Sequence, residues 1–268
     1  MGRPIAMFDS GFGGLTVARA VIDLLPSDDL VYFGDTGRYP YGPRAHGEVR
    51  DFAFQISDWM VAEFDPKVLV VACNTAAAVA LDGLQARYDL PVIGVLEPGL
   101  NSLLSVTLTG RVGIIGTVGT VASGAYQRAA EAVAPHVDLT CAACPGFVEF
   151  VERGETESEQ VHVLAQRLLA PVIDAKVDAL LLGCTHYPFL ARTIADVLGP
   201  DVVLVSSADE TAFSLVSAAG PDNEVGASER RGTHTFVSSG DIDMFARLGR
   251  QLLGPELDTV VAHRWSSS

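Results

Sequence analysis

The apolar positions of the chain follow two recurring patterns. There are short unbroken runs rich in Val, Ile and Leu, and there are longer segments in which apolar residues return every three or four positions. Unbroken runs predict strands buried on both faces of a parallel sheet, and the longer period predicts helices packed along one side. Residues 5–8, 30–33, 68–72, 90–95, 111–116, 178–183, 202–205 and 235–238 are of the first kind. Helices are predicted over 15–25 and over 45–64, with Val49, Phe52, Ile56, Trp59 and Met60 facing inward. Further helices are predicted from Ala76, through 126–128, near 157–172, from Pro188 and over 244–253. The alternation predicts an α/β protein: two pseudo-symmetric α/β domains with mainly parallel sheets and a site in the cleft between them.

Two of the strand runs end in chemistry. Residues 68–72 deliver Cys73-Asn74-Thr75, and residues 178–183 deliver Cys184-Thr185-His186-Tyr187. Ligands of open parallel sheets bind beyond the strands' carboxyl ends, and a helix starting there draws anions and lowers a thiol's pKa. Two such strand ends predict thiols that face each other. Two other strands end in polar turns, Asp9-Ser10-Gly11-Phe12-Gly13-Gly14 and Gly116-Thr117. Asp9 precedes Cys73 by 64 residues and Thr117 precedes Cys184 by 67, a near-equal spacing that points to internal duplication. Residues 1–97 with 209–268 are expected to form the Cys73 domain and residues 98–208 the Cys184 domain, with a crossing at Glu97-Pro98-Gly99. Residues 34–43 read as a turn-rich loop carrying aromatics, 221–232 as a mobile loop, and 264–268 as a frayed tail.

The composition narrows the function. Among 268 residues about half are apolar, and 18 basic against 33 acidic residues give a formal charge of −15. That charge offers no electrostatic hold on nucleic acid or an anionic membrane, and it requires local N–H and hydroxyl donors for any anionic ligand. The sequence has no signal-peptide pattern at Met1-Gly2-Arg3-Pro4 and no membrane-spanning run, so a cytoplasmic location is expected. Four cysteines are too few for a disulfide scaffold, which leaves each to packing or chemistry. Cys141 and Cys144 have C-x-x-C spacing but no second metal half-site, and read as structural.

Buried cysteine is commonly inert. For Cys73 and Cys184 the pairing favours chemistry. A single nucleophilic thiol would leave its counterpart without a role. A two-base proton transfer at carbon uses both, one removing a proton from one face and the other returning it to the opposite face. His186, two positions after Cys184, could set that thiol's protonation.

Asp9-Ser10-Gly11, Gly34-Asp35, Pro40-Tyr41-Gly42, Cys73-Asn74-Thr75, Gly116-Thr117, Gly183-Cys184-Thr185-His186-Tyr187-Pro188 and Ser239-Gly240-Asp241 stand in the order and spacing of the glutamate racemases, which the chain resembles over nearly its whole length. The resemblance implies interconversion of L- and D-glutamate without pyridoxal phosphate, any other cofactor or a metal, supplying D-glutamate for peptidoglycan, in an enzyme that is often a homodimer. It implies that Cys73 takes the α-proton of D-glutamate and Cys184 that of L-glutamate, with Asp9 assisting the first and His186 with Glu152 the second. It places the substrate among Asp9, Ser10, the Tyr41-Gly42 backbone, Asn74, Thr75, Thr117, Thr185 and His186. Glu149 is a departure, standing where the family often has proline. The rival readings are an aspartate or other amino-acid racemase on the same fold, and a small-ligand binding module without turnover.

Overall fold

In the computed structural model, which describes residues 2–218 and 231–265, every apolar run predicted as a strand is one. The strands are β1 (Ile5–Asp9), β2 (Leu30–Gly34), β3 (Val68–Val71), β4 (Val92–Gly94), β5 (Arg111–Gly116), β6 (Asp138–Ala143), β7 (Ala179–Gly183), β8 (Val203–Val205), β9 (His234–Ser238) and β10 (Val260–Ala262). They form two sheets, ordered β10-β9-β2-β1-β3-β4 and β6-β5-β7-β8, and every pairing is parallel. The order β2-β1-β3-β4 recurs as β6-β5-β7-β8. In each sheet the strand ending in the polar turn lies beside the strand ending in cysteine. The chain therefore repeats one topological unit, as the spacing of Asp9, Cys73, Thr117 and Cys184 predicts.

Side-chain alternation on the second sheet shows how the halves join. Val112, Ile114, Ala179 and Leu181 pack into the core of the first sheet, whereas Ile115, Leu180 and Leu182 face a second core with Val161, Ala165 and Val172. The helix Leu96–Val106 packs on β7 and β8 of the second sheet and against the helices Asn74–Arg87 and Ala208–Ala218. Its Gly99 sits so close to Ser207 and Leu181 that a Cβ would stand 3.0 and 3.2 Å from them. Glu97-Pro98-Gly99, expected as a crossing, lie in the first turn of this helix. Pro98 is tolerated there because the opening N–H groups of a helix have no partner within it.

Two strands escape the apolar pattern. β6 and β10 lie at sheet edges and are only partly buried; β6 opens on Asp138 and is broken by Thr140, and β10 offers only the three residues Val260-Val261-Ala262. The tail expectation is corrected at Trp265, whose ring packs 5.5 Å from Phe33 and 4.4 Å from His263. Most of the predicted mobile loop, and Ser266 to Ser268, lie outside the described residues. Gly232, at the loop's end, is anchored by its N–H to the carbonyl of Pro26 at 2.8 Å.

Candidate active site

Each thiol sits where a buried strand gives way to a helix. Cys73 follows β3 in extended conformation and opens the helix Asn74–Arg87; Cys184 follows β7 and precedes a 3-10 turn, Tyr187–Leu190. Both are buried, and both line one cavity of about 90 Å³, room for a single small molecule. Ser10, Tyr41, Gly42, Asn74, Thr75, Thr117, Thr185 and His186 line it with them. Asp9 and Glu152 do not reach its wall and stand behind it.

The two sheets approach closely only because glycines stand between them. A Cβ on Gly13 would fall 2.4 Å from the Thr185 hydroxyl and 2.6 Å from His186 Nδ1, and one on Gly42 would fall 2.9 Å from Thr117 Cβ. The carbonyl of Gly42 instead accepts the N–H of Gly119 at 2.9 Å, joining the 34–43 loop to the second half.

The thiols are neutral for a physical reason that overrides the expectation from helix placement. Burial, then the Asp9 charge, pushes Cys73 up to about 12, against the pull of the Ala76 and Ser10 N–H groups. Burial also raises Cys184 strongly, with Cys73 and Asp9 adding to it and the N–H groups of His186 and Tyr187 opposing. Desolvation of a full negative charge outweighs a few backbone dipoles. Asp9, fully buried, is raised by desolvation and steadied by the N–H groups of Ser10, Gly11 and Gly14 and the Thr185 hydroxyl; the Gly11 N–H lies 2.8 Å from Oδ1.

On the Cys184 side, burial lowers His186 to about 4, which leaves a neutral imidazole. Its Nε2 has no hydrogen-bond partner and lies 4.0 Å from Glu152 Oε1. Glu152 is raised by desolvation, with the Tyr39 hydroxyl opposing and Glu149 adding to the rise. Tyr39 separates the main cavity from a smaller one lined by Gly11, Phe12, Glu152 and Asp241. Glu149, on an exposed turn of the helix Phe147–Glu152, is the carboxylate that does line the main cavity.

The polar wall is built from dipoles. The hydroxyls of Thr75, Thr117 and Thr120 form a closed triangle at 2.9 to 3.2 Å. Asn74 donates to the Tyr126 hydroxyl at 2.9 Å, and its Oδ1 is left buried without a donor. That oxygen is an unsatisfied acceptor beside Cys73, suited to an ammonium. Among the described residues no Lys or Arg lines the cavity, so hydroxyls and N–H groups are what can hold a carboxylate. Tyr39, Glu149, Cys144, Tyr126 and Gly13 are site components that sequence reasoning did not single out for the site. Cys144 follows β6 and supplies cavity wall and a carbonyl to the Tyr187 hydroxyl at 3.0 Å, in keeping with a structural thiol.

Comparison with known proteins places this geometry. The profile described as Asp/Glu/Hydantoin racemase matches residues 16–213. A glutamate racemase of Acidothermus cellulolyticus is 50% identical over 260 residues, covering 96% of this chain and 97% of that protein. Among solved structures, a glutamate racemase isoform from Bacillus anthracis superposes with a TM-score of 0.90 at 37% identity, covering 98% of this chain and 97% of that one. One from Francisella tularensis, in complex with D-glutamate, gives 0.89 at 30% identity with the same coverage.

Proposed function

The chain belongs to the Asp/Glu/Hydantoin racemase family, and from that membership we infer that it is a glutamate racemase, a cofactor-independent isomerase of L- and D-glutamate. The observation that carries the mechanism is the pair of thiols, one from each repeat of the same strand order, on the wall of one cavity. Cys73 as thiolate takes the α-proton of D-glutamate while the Cys184 thiol gives its own proton to the opposite face. Cys184 as thiolate does the reverse with L-glutamate. Each turnover leaves the thiol and thiolate exchanged, and exchange with solvent resets them.

Thiols held this far above their ordinary range need help to ionise. The substrate ammonium supplies it by bringing positive charge to the cavity, where Asn74 Oδ1 accepts it. Asp9 is placed to move the Cys73 proton, and His186 with Glu152 that of Cys184. Ser10, the Tyr41-Gly42 backbone, Thr75, Thr117 and Thr185 hold the carboxylates and stabilise charge as the α-proton leaves. We assign residues 1–97 with 209–268 to one domain and 98–208 to the other, and place the enzyme in the cytoplasm as a homodimer supplying peptidoglycan synthesis.

Incubation with L-glutamate in heavy water tests the reading. Optical rotation should decay to zero, and at early times deuterium should appear at the α-carbon of the D-product while remaining L-glutamate keeps its proton. Rotation unchanged with glutamate but lost with aspartate would move the substrate, and stasis with both would leave a binding module.

A further inference from the structure

The cavity wall owes five of its residues, Tyr39, Pro40, Tyr41, Gly42 and Pro43, to the loop that leaves β2. Within itself this loop makes little backbone structure. Arg38 N–H bonds the Asp35 carbonyl and Arg44 N–H bonds that of Tyr41, both at 3.1 Å. Its position is set instead around one buried carboxylate. Asp35 is fully buried and accepts from four side chains. Arg38 Nε at 2.7 Å and the Tyr41 hydroxyl reach Oδ2; Ser239 Oγ at 2.6 Å and Trp265 Nε1 at 3.2 Å reach Oδ1. The Asp35 N–H bonds the Asp9 carbonyl at 3.0 Å, so the same residue is tied to the strand end beside Cys73.

Two of these donors come from the far end of the chain, and one does more than donate. The Arg38 guanidinium lies between two rings, 4.2 Å from the Phe52 centroid and 4.3 Å from that of Trp265. Trp265 therefore covers the cation and satisfies the carboxylate of a single ion pair, a geometry in which both contacts strengthen as water is excluded. A buried carboxylate deprived of a donor must find another or move, and Tyr41 moves with it.

We propose that Asp35 and Trp265 are positioning residues of the substrate site, Trp265 closing from the C-terminal segment the node that holds the Tyr39–Pro43 wall in place. The kinetic part of this proposal rests on the glutamate racemase reading; the structural part does not. The test uses Trp265→Ala and Trp265→Phe in the full chain, the second keeping a ring on Arg38 and removing only the N–H.

Amide hydrogen exchange over residues 36–44 should accelerate about tenfold in Trp265→Ala, with β5 unchanged. The KM for glutamate should rise about tenfold in Trp265→Ala and about threefold in Trp265→Phe, with kcat nearly constant. A residue that only stabilised the fold would reduce the active fraction, lowering apparent kcat at unchanged KM. Unchanged exchange over 36–44 overturns the proposal, as does unchanged KM in an enzyme whose wild type racemises glutamate. Accelerated exchange in a protein that does not act on glutamate would uphold the node and overturn the substrate instead.

Discussion

The Thr185 hydroxyl, next to Cys184 on the second sheet, donates across 3.3 Å to Oδ2 of Asp9, which ends β1 beside Cys73 on the first. Asp9 thus belongs by chain to one thiol and by hydrogen bond to the strand end of the other, and its charge raises both. Asp9→Asn keeps the shape and removes the charge. Cys73 then falls below about 12 and ionises more readily, while the proposed acceptor of its proton is gone. Alkylation of Cys73 by iodoacetamide near pH 8 should speed up while turnover drops about a hundredfold. Equal alkylation rates would remove Asp9 from control of the thiol.

His186 makes the fold acid-sensitive. Above its ordinary value of 6.5 the imidazole is neutral in both folded and unfolded chains; between 6.5 and about 4 only the unfolded chain takes up the proton. The folded state then loses about 1.4 kcal/mol per pH unit from this group. Asp9 and Glu152, both raised, act with opposite sign, because the folded chain protonates them first. His186→Gln should flatten the loss of melting temperature between about pH 6.5 and about pH 4.5. An unchanged slope would place the acid sensitivity in other groups, such as His234 and His263, which burial also lowers.

Glu149 sets a carboxylate on the wall of the cavity in which both carboxylates of the substrate must be held. The group is exposed, so its effect is modest and screened by salt. Glu149→Gln should lower the glutamate KM about two- to fivefold at low ionic strength, with a smaller change in high salt. A KM unaffected by the substitution at both ionic strengths would show that the charge points its field elsewhere.

Gly13→Ala tests how tightly the strand ends are joined. The added methyl would overlap the Thr185 hydroxyl and His186 ring, neither of which is the loose end of a long side chain. Overpacking of this kind costs about 1 to 3 kcal/mol and shifts its neighbours. Both the unfolding midpoint in urea and the turnover should fall. Full activity in a stable variant would mean that the two sheets can separate at this point without loss.

Much of this was legible in the sequence because chemistry sat at the ends of unbroken apolar runs. Cys73 and Cys184 were exposed to view by β3 and β7, and the duplicated strand order by two spacings. What stayed hidden depends on direction or distance. Glu149 and Glu152 lie three positions apart on one short helix, and periodicity alone does not say which carboxylate meets the cavity. The run 264–268 reads as a polar end, yet Trp265 bonds a carboxylate 230 positions away. Helix placement alone does not show that the thiols are pushed up, since the depth of burial that overrides it is a tertiary property.

The repeat of β2-β1-β3-β4 as β6-β5-β7-β8 also carries a thermodynamic obligation. Mirror-image amino acids have equal free energies in water, so their equilibrium constant is one and kcat/KM must be the same in both directions. The two halves are not chemically equal, with a carboxylate behind one thiol and an imidazole beside the other. kcat and KM can therefore differ between the antipodes only in step with each other. A substitution in either half must change both values of kcat/KM by one common factor, and the half that was touched shows itself only in how that factor divides between turnover and saturation.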